Sequence, residues 1–203
     1  MKRILVAYAT MAGSTAEVAQ AVAEEIAKSD LQVDVLSIDE IKDIGVYDGV
    51  VVGAPMIMGW HRGATRFLRR NRGAFQQVPL AVFVTAMSLT RTDDMSLGDT
   101  PVAVDEKLPK PPVKEGSLSF RERYARLSSY LKPILKATRP AGPVSIGVFG
   151  GRLEYGRLKW WAVLFAMFVV QAQAGDRRNW PAIRTWAAGL PAAFQLEETE
   201  AAG

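Results

Sequence analysis

The sequence predicts an α/β fold built on a doubly wound, five-stranded parallel sheet. Three observations carry that prediction. Apolar runs alternate with helical patterns along the chain, the order that puts helices on both faces of a parallel sheet. The runs are near-continuous in Val, Ile and Leu, as strands buried on both sides require. The 203 residues, 49% of them hydrophobic, suit one domain over 1–203 with an adequate core.

Taken in order, strands are expected near 3–9, 32–37, 48–54, 79–85 and 144–150. Helices are expected near 14–28, 63–74, 119–137 and 180–194; the last has Asn179 as a cap and Pro181 in its first turn, where a missing N–H costs nothing. Two segments exceed this plan. The stretch about 89–116 holds Pro101, Pro109, Pro111 and Pro112 among charged residues and reads as a long surface loop, either functional or disordered. The stretch about 157–175 contains Trp160 to Val170, apolar on every face. As a helix that run is about 16 Å long, against about 30 Å of bilayer hydrocarbon, so it cannot span a membrane.

A fully buried core helix is one use for such a run. The favoured one is an exposed apolar surface for lipid, an oily substrate or a partner subunit, a second copy of the chain included, because the sheet already has its covering helices. Arg152, Arg157 and Lys159 precede the run, Arg177 and Arg178 follow it, and Trp160 and Trp161 stand at one end as interfacial anchors do.

The absence of cysteine excludes disulfides, thiolate catalysis and cysteine-ligated iron–sulfur clusters, so redox work falls to a bound organic cofactor. It also suits a reducing cytoplasm, and a strand rather than a signal peptide opens the chain, so a cytoplasmic protein is expected, peripheral on the inner face of the cell membrane.

The stretch from Arg3 to Glu17 joins an apolar strand to a helix through Thr10, Met11, Ala12, Gly13, Ser14 and Thr15. Free N–H groups, the helix dipole and three hydroxyls make this turn a phosphate cradle. It contains neither a G-x-G-x-x-G fingerprint nor the lysine of a G-x-x-x-x-G-K-[ST] loop, so a monophosphate is the better guest. The alternative is a plain helix start, with Ser14 as N-cap and Glu17 completing a capping box. Thr10-x-x-Gly13-Ser14-Thr15 resembles the flavodoxin signature T-x-T-G-x-T, which wraps the phosphate of flavin mononucleotide (FMN); Ala12 departs from it. The resemblance implies a flavodoxin-like sheet of order 2-1-3-4-5, with FMN at the carboxyl ends of the strands.

A flavin ring needs platforms at the ends of the third and fourth strands. Pro55, Met56, Ile57, Met58 and Gly59 leave the third strand, and Gly59 lets a peptide turn toward the ring. Thr85, Ala86, Met87 and Ser88 end the fourth and line the other side. His61, Arg62, Arg66, Arg69, Arg70 and Arg72 form a basic cluster whose self-repulsion gives no stability, which suits a role in meeting anions. Nucleic acid is discounted because the net charge is only +4 and no binding motif is present. The lone His61 lacks partners for a metal.

A narrower resemblance lies in Gly53-Ala54-Pro55-Met56-Ile57-Met58-Gly59 and in Gly150-Gly151-Arg152-Leu153-Glu154-Tyr155 followed by Arg157-Leu158-Lys159-Trp160-Trp161. These are similar to the menaquinone-dependent protoporphyrinogen dehydrogenases, membrane-associated FMN enzymes of haem synthesis. That resemblance implies electron flow from a porphyrinogen to FMN and on to a membrane quinone, with Arg62 and Arg152 as the choices for contact with an anionic substrate and no identifiable general base. Competing classes are a flavodoxin-type electron carrier, against which the positive charge argues, and an NAD(P)H:quinone reductase of the same fold.

Overall fold

A computed structural model of the chain describes residues 1–56, 59–91, 100–114, 116–153 and 175–196. The strands are β1 (Arg3–Tyr8), β2 (Gln32–Ser37), β3 (Gly49–Pro55), β4 (Leu80–Ala86), β5 (Leu89–Thr90), β6 (Val102–Val104), β7 (Pro109–Lys110), β8 (Ser145–Gly150), β9 (Arg152–Leu153) and β10 (Gly175–Asp176). The helices are α1 (Ser14–Ile26), α2 (Arg62–Asn71), α3 (Phe120–Tyr124), α4 (Leu127–Thr138), α5 (Trp180–Ala188) and α6 (Leu190–Ala193).

The five predicted strands are all present, to within a residue at most ends, and lie side by side as β2-β1-β3-β4-β8. All neighbours are parallel; Val6, for instance, stands opposite Val35 on one side and Val51 on the other. Their Val and Ile side chains leave both faces apolar, and each face is covered. On one, α2 and α4 contribute Phe67, Leu68, Leu131 and Ile134 to a core with Val50, Val82 and Val148. On the other, α1 and α5 contribute Val18, Val22, Ile183 and Trp186 to a core with Ile4, Val51 and Phe83. This is the doubly wound arrangement the alternating pattern predicts.

The sheet has six strands, not five. β6 joins the edge beside β8, with Val102 opposite Ile146. The stretch 89–116 is therefore more than a surface loop: β5 pairs with β7, and Leu89 and Leu108 enter the core. Three residues suffice for an edge strand because β8 supplies the ladder, so Val102 to Val104 gave no periodicity to detect.

Two predicted helices are split. The stretch 119–137 begins with a capping box, Ser119 accepting from the Glu122 N–H and Glu122 from the Ser119 N–H. It breaks between α3 and α4, where the Ala125 carbonyl accepts from the Thr90 N–H at 2.8 Å instead of continuing the helix. The stretch 180–194 breaks at Gly189, two residues before Pro191. Asn179 stands at the cap position but makes no side-chain cap bond; its amide donates to Asp105 Oδ1 at 2.8 Å. The apolar run 158–174 lies outside the described residues, so its expected exposed surface is not described. Among the described residues no helix is long and apolar enough to cross a membrane.

Candidate functional site

β1, β3, β4 and β8 all deliver their carboxyl ends to one edge, and the turns that follow form a cleft. It is lined by Met11, Ala12, Ser14 and Thr15 after β1, Pro55 and Met56 after β3, Thr85, Ala86 and Met87 at β4, and Gly151, Arg152 and Leu153 after β8. Convergence at the carboxyl ends is the general consequence of parallel strands with crossover helices.

The first wall is the phosphate turn. Gly13, not Ser14, is the N-cap of α1, with φ 88° and no side-chain cap bond, so the capping-box alternative does not form. That left-handed conformation favours glycine. The Gly13 N–H donates to Thr10 Oγ1 at 2.9 Å, which leaves the Thr10 hydroxyl proton free to donate elsewhere. Ser14 and Thr15 are the first residues of the helix, whose leading N–H groups have no intrahelical acceptor. Thr15 Oγ1 meets Thr85 Oγ1 at 3.1 Å, tying the turn to β4. A hydroxyl with a free proton, open N–H groups and a helix N-terminus are the donors a terminal phosphate needs, so the turn fits FMN.

Glu17 in the first turn of α1 would repel a phosphate. It is instead neutralised by Arg152 at 2.7 Å and Arg178 at 2.6 Å. Arg178 also binds Asp176, holding that carboxyl below the ordinary carboxylate range, and its guanidinium lies over Trp180. Arg177 donates to the Met87 carbonyl at 2.8 Å. Arg152, Arg177 and Arg178, expected as basic flanks for a membrane surface, thus turn inward onto carboxylates and a carbonyl. The correction has a plain cause: β9 and β10 pair antiparallel, which carries both flanks back onto α1 and β4.

The second wall is the turn after β3. Gly59 has φ 117°, a conformation that favours glycine, and Trp60 beside it is buried, its indole donating to the Ala54 carbonyl at 3.3 Å. Ile57 and Met58 lie outside the described residues. On the third wall Thr85 and Ala86 are buried and Met87 borders the cleft, while Ser88 is exposed and its carbonyl accepts from Tyr130 at 2.7 Å. Burial pushes the Tyr130 phenol up to about 12, so it stays a donor.

Arg62 and Arg152 do not meet. Arg152 borders the cleft, and Arg62 opens onto a separate groove with Thr65, Arg66 and Arg69. Sequence reasoning missed Gly151 and Leu153, which reach the cleft because they follow the carboxyl end of β8, and the network of Asp176 and Arg178, which the pairing of β9 with β10 brings onto Glu17. Among the described lining residues Arg152 is the one ionisable side chain.

No match is found among curated protein sequences. Solved structures share the fold. The two-electron reduced flavodoxin of Megasphaera elsdenii superposes with a TM-score of 0.51 at 9% identity, over 95% of this chain and 98% of that one. An oxidoreductase of Corynebacterium diphtheriae gives 0.54 at 15% identity, over 98% and 99%. A flavodiiron core of Synechocystis gives 0.55 at 12% identity, over 97% of this chain but only 37% of that one. A family model described as the flavodoxin domain matches residues 5–179. With that match laid over a phosphate turn and three strand-end walls, the chain belongs to the flavodoxin domain family and is an FMN-binding protein.

Proposed function

We propose that this FMN protein is an oxidoreductase that oxidises protoporphyrinogen and passes the electrons to a membrane quinone, acting at the cytoplasmic face of the membrane. The observation that supports it is the position of β9 and β10. Leu153 borders the cleft and pairs with Gly175, so the two residues that bound the apolar sequence stand together beside the cofactor site.

FMN, when bound, supplies a ring that takes up one or two electrons. The chain's residues do the rest. Thr10 and the N–H groups of Ser14 and Thr15 hold the phosphate. Pro55, Met56, Met87 and Leu153 enclose the ring in apolar surface and exclude water. Arg152 is assigned to a substrate carboxylate, since its side chain borders the cleft and a guanidinium pairs with carboxylates in a fixed fork. The lack of an acid or base in the described lining also favours a second reading, a flavodoxin-type carrier that moves electrons between proteins.

The deciding experiment mixes the FMN-loaded protein anaerobically with protoporphyrinogen or NAD(P)H, then adds a menaquinone analogue. Bleaching by porphyrinogen and recovery with quinone is the expected result. Bleaching by NAD(P)H alone assigns a quinone reductase, and bleaching by neither leaves the carrier.

A further inference from the structure

The helix α3 has no core of its own. Its start is fixed by the Ser119–Glu122 capping box, yet none of its five residues is buried. Its neighbours hold it: the Ala125 carbonyl accepts from the Thr90 N–H of β5 at 2.8 Å, and Glu122 Oε1 accepts from the Val113 N–H at 2.7 Å. An element placed in this way displays its side chains rather than burying them.

The displayed side chains are apolar rings among cations. Phe120 is 60% exposed and Tyr124 46%; with Val113 they are three of the six large hydrophobic side chains exposed among the described residues. The two rings pack against each other with centroids 4.9 Å apart. At roughly 100° per residue they lie about 40° apart around the helix, with Arg121 and Arg123, both exposed, about 80° to either side. From Lys107 to Arg126 the chain has six basic residues against two acidic ones, Glu115 and Glu122, and both oxygens of Glu122 accept backbone N–H groups, from Val113 and Ser119.

We propose that α3 and the Val113 turn form the surface by which this protein rests on an anionic lipid bilayer, Phe120 and Tyr124 entering the headgroup layer while Arg123, Lys110 and Lys114 meet lipid phosphates. The inference deepens the proposed function, on whose membrane location it rests. Composition chooses the bilayer: the membrane–water interface takes rings at the acyl boundary and cations at the phosphates beside them. A second copy of the chain fits poorly, because a self-complementary face would bring these cations together. Position supports the same occupant. β5 begins two residues beyond Met87, a cleft residue, and α3 is bonded to β5 through Thr90, so a bilayer under α3 lies at the edge of the sheet that carries the cofactor site. The surface is apart in sequence from the run 158–174, so lipid contact does not depend on that run alone.

The test exploits the absence of cysteine. Phe120→Cys in the FMN-loaded full chain gives one thiol for a polarity-sensitive bimane label, and Gln76→Cys, exposed ahead of the amino end of β4, gives the reference. With vesicles of phosphatidylcholine and phosphatidylglycerol, the label at 120 is expected to shift to the blue and to be quenched by a spin-labelled lipid, and the label at 76 to do neither. In sedimentation with these vesicles, Phe120→Ser with Tyr124→Ser is expected to weaken binding about tenfold. Lys114→Glu with Arg123→Glu is expected to weaken it about tenfold or more and to reduce its dependence on salt. FMN content and melting temperature stay at the parent's values, since no residue of α3 is buried. A parent chain that binds no vesicle overturns this inference together with the membrane location. A parent that binds while the Phe120→Ser, Tyr124→Ser pair binds equally, or a label at 120 that stays in water, overturns this inference alone. Binding to polyglutamate as tight as to vesicles, or a dimer that the serine pair dissociates, gives the patch to a protein and overturns it as well.

Discussion

Replacing Arg178 by Met is expected to destabilise the fold by about 2–3 kcal/mol and to weaken FMN binding. The side chain is 4% exposed and bonds to Glu17 and Asp176, which keep 41% and 43% of their side-chain surface. A charge-assisted hydrogen bond contributes about 1.5–3 kcal/mol when buried, and solvent on the carboxylate side screens each pair toward about 1 kcal/mol. The guanidinium carbon lies 4.6 Å from the Trp180 ring centroid, adding about 0.5–1 kcal/mol. Met preserves the apolar stem, so the loss is electrostatic. For a domain of this size the melting temperature should fall by about 5–10 °C. Glu17 also loses the Arg178 cation while keeping Arg152, which raises the negative potential at the phosphate turn. Adding Glu17→Gln should restore FMN affinity without restoring stability. Thermal unfolding and FMN fluorescence titration measure the two effects separately. A melting temperature within about 1 °C of the parent, or a double variant that binds FMN no better than Arg178→Met, refutes the reasoning.

Other perturbations probe single contacts. Gly13→Val places a β-branched residue at φ 88°, and the protein should purify colourless while keeping its fold; a yellow variant contradicts the phosphate assignment. In Gly150→Ala the new Cβ overlaps the Arg177 carbonyl oxygen, a backbone atom that cannot rotate away, so urea unfolding should show a loss of about 1–3 kcal/mol. Burial holds the His61 imidazole below its ordinary value of 6.5, with Asp39 opposing in part. Between the folded value and 6.5 the unfolded chain binds more protons, so His61 stabilises fully above that window and its contribution is lost as pH falls through it. His61→Gln should flatten the melting-temperature profile between about pH 5 and 7.5, and parallel profiles for the two proteins would count against this. Tyr130→Phe removes the bond to the Ser88 carbonyl, which should cost about 1 kcal/mol and lower FMN affinity through the loop after β4; unchanged affinity assigns Tyr130 to packing alone.

The strands, the phosphate turn and the cofactor class were legible in the sequence because each rests on local signals. A run such as Ile4-Leu5-Val6-Ala7 states its own burial, and Gly13 among hydroxyls states a turn open to an anion. Gly59 read as a point where a peptide is free to turn, and its φ of 117° is one that favours glycine. Only the tertiary structure decided the sixth strand, since Val102 to Val104 is a strand solely because β8 offers it an edge. The helix breaks likewise depend on a distant N–H, that of Thr90, capturing the Ala125 carbonyl. Arg152 and Arg178 looked like solvated flanks in sequence, yet they close a charge network with Glu17 from positions 135 and 161 residues away. Apolar periodicity reports which residues leave water, but a charged side chain reads the same whether it meets solvent or a carboxylate. Which of the two it meets is fixed by the antiparallel pairing of β9 with β10, and that pairing exists only once the sheet has formed.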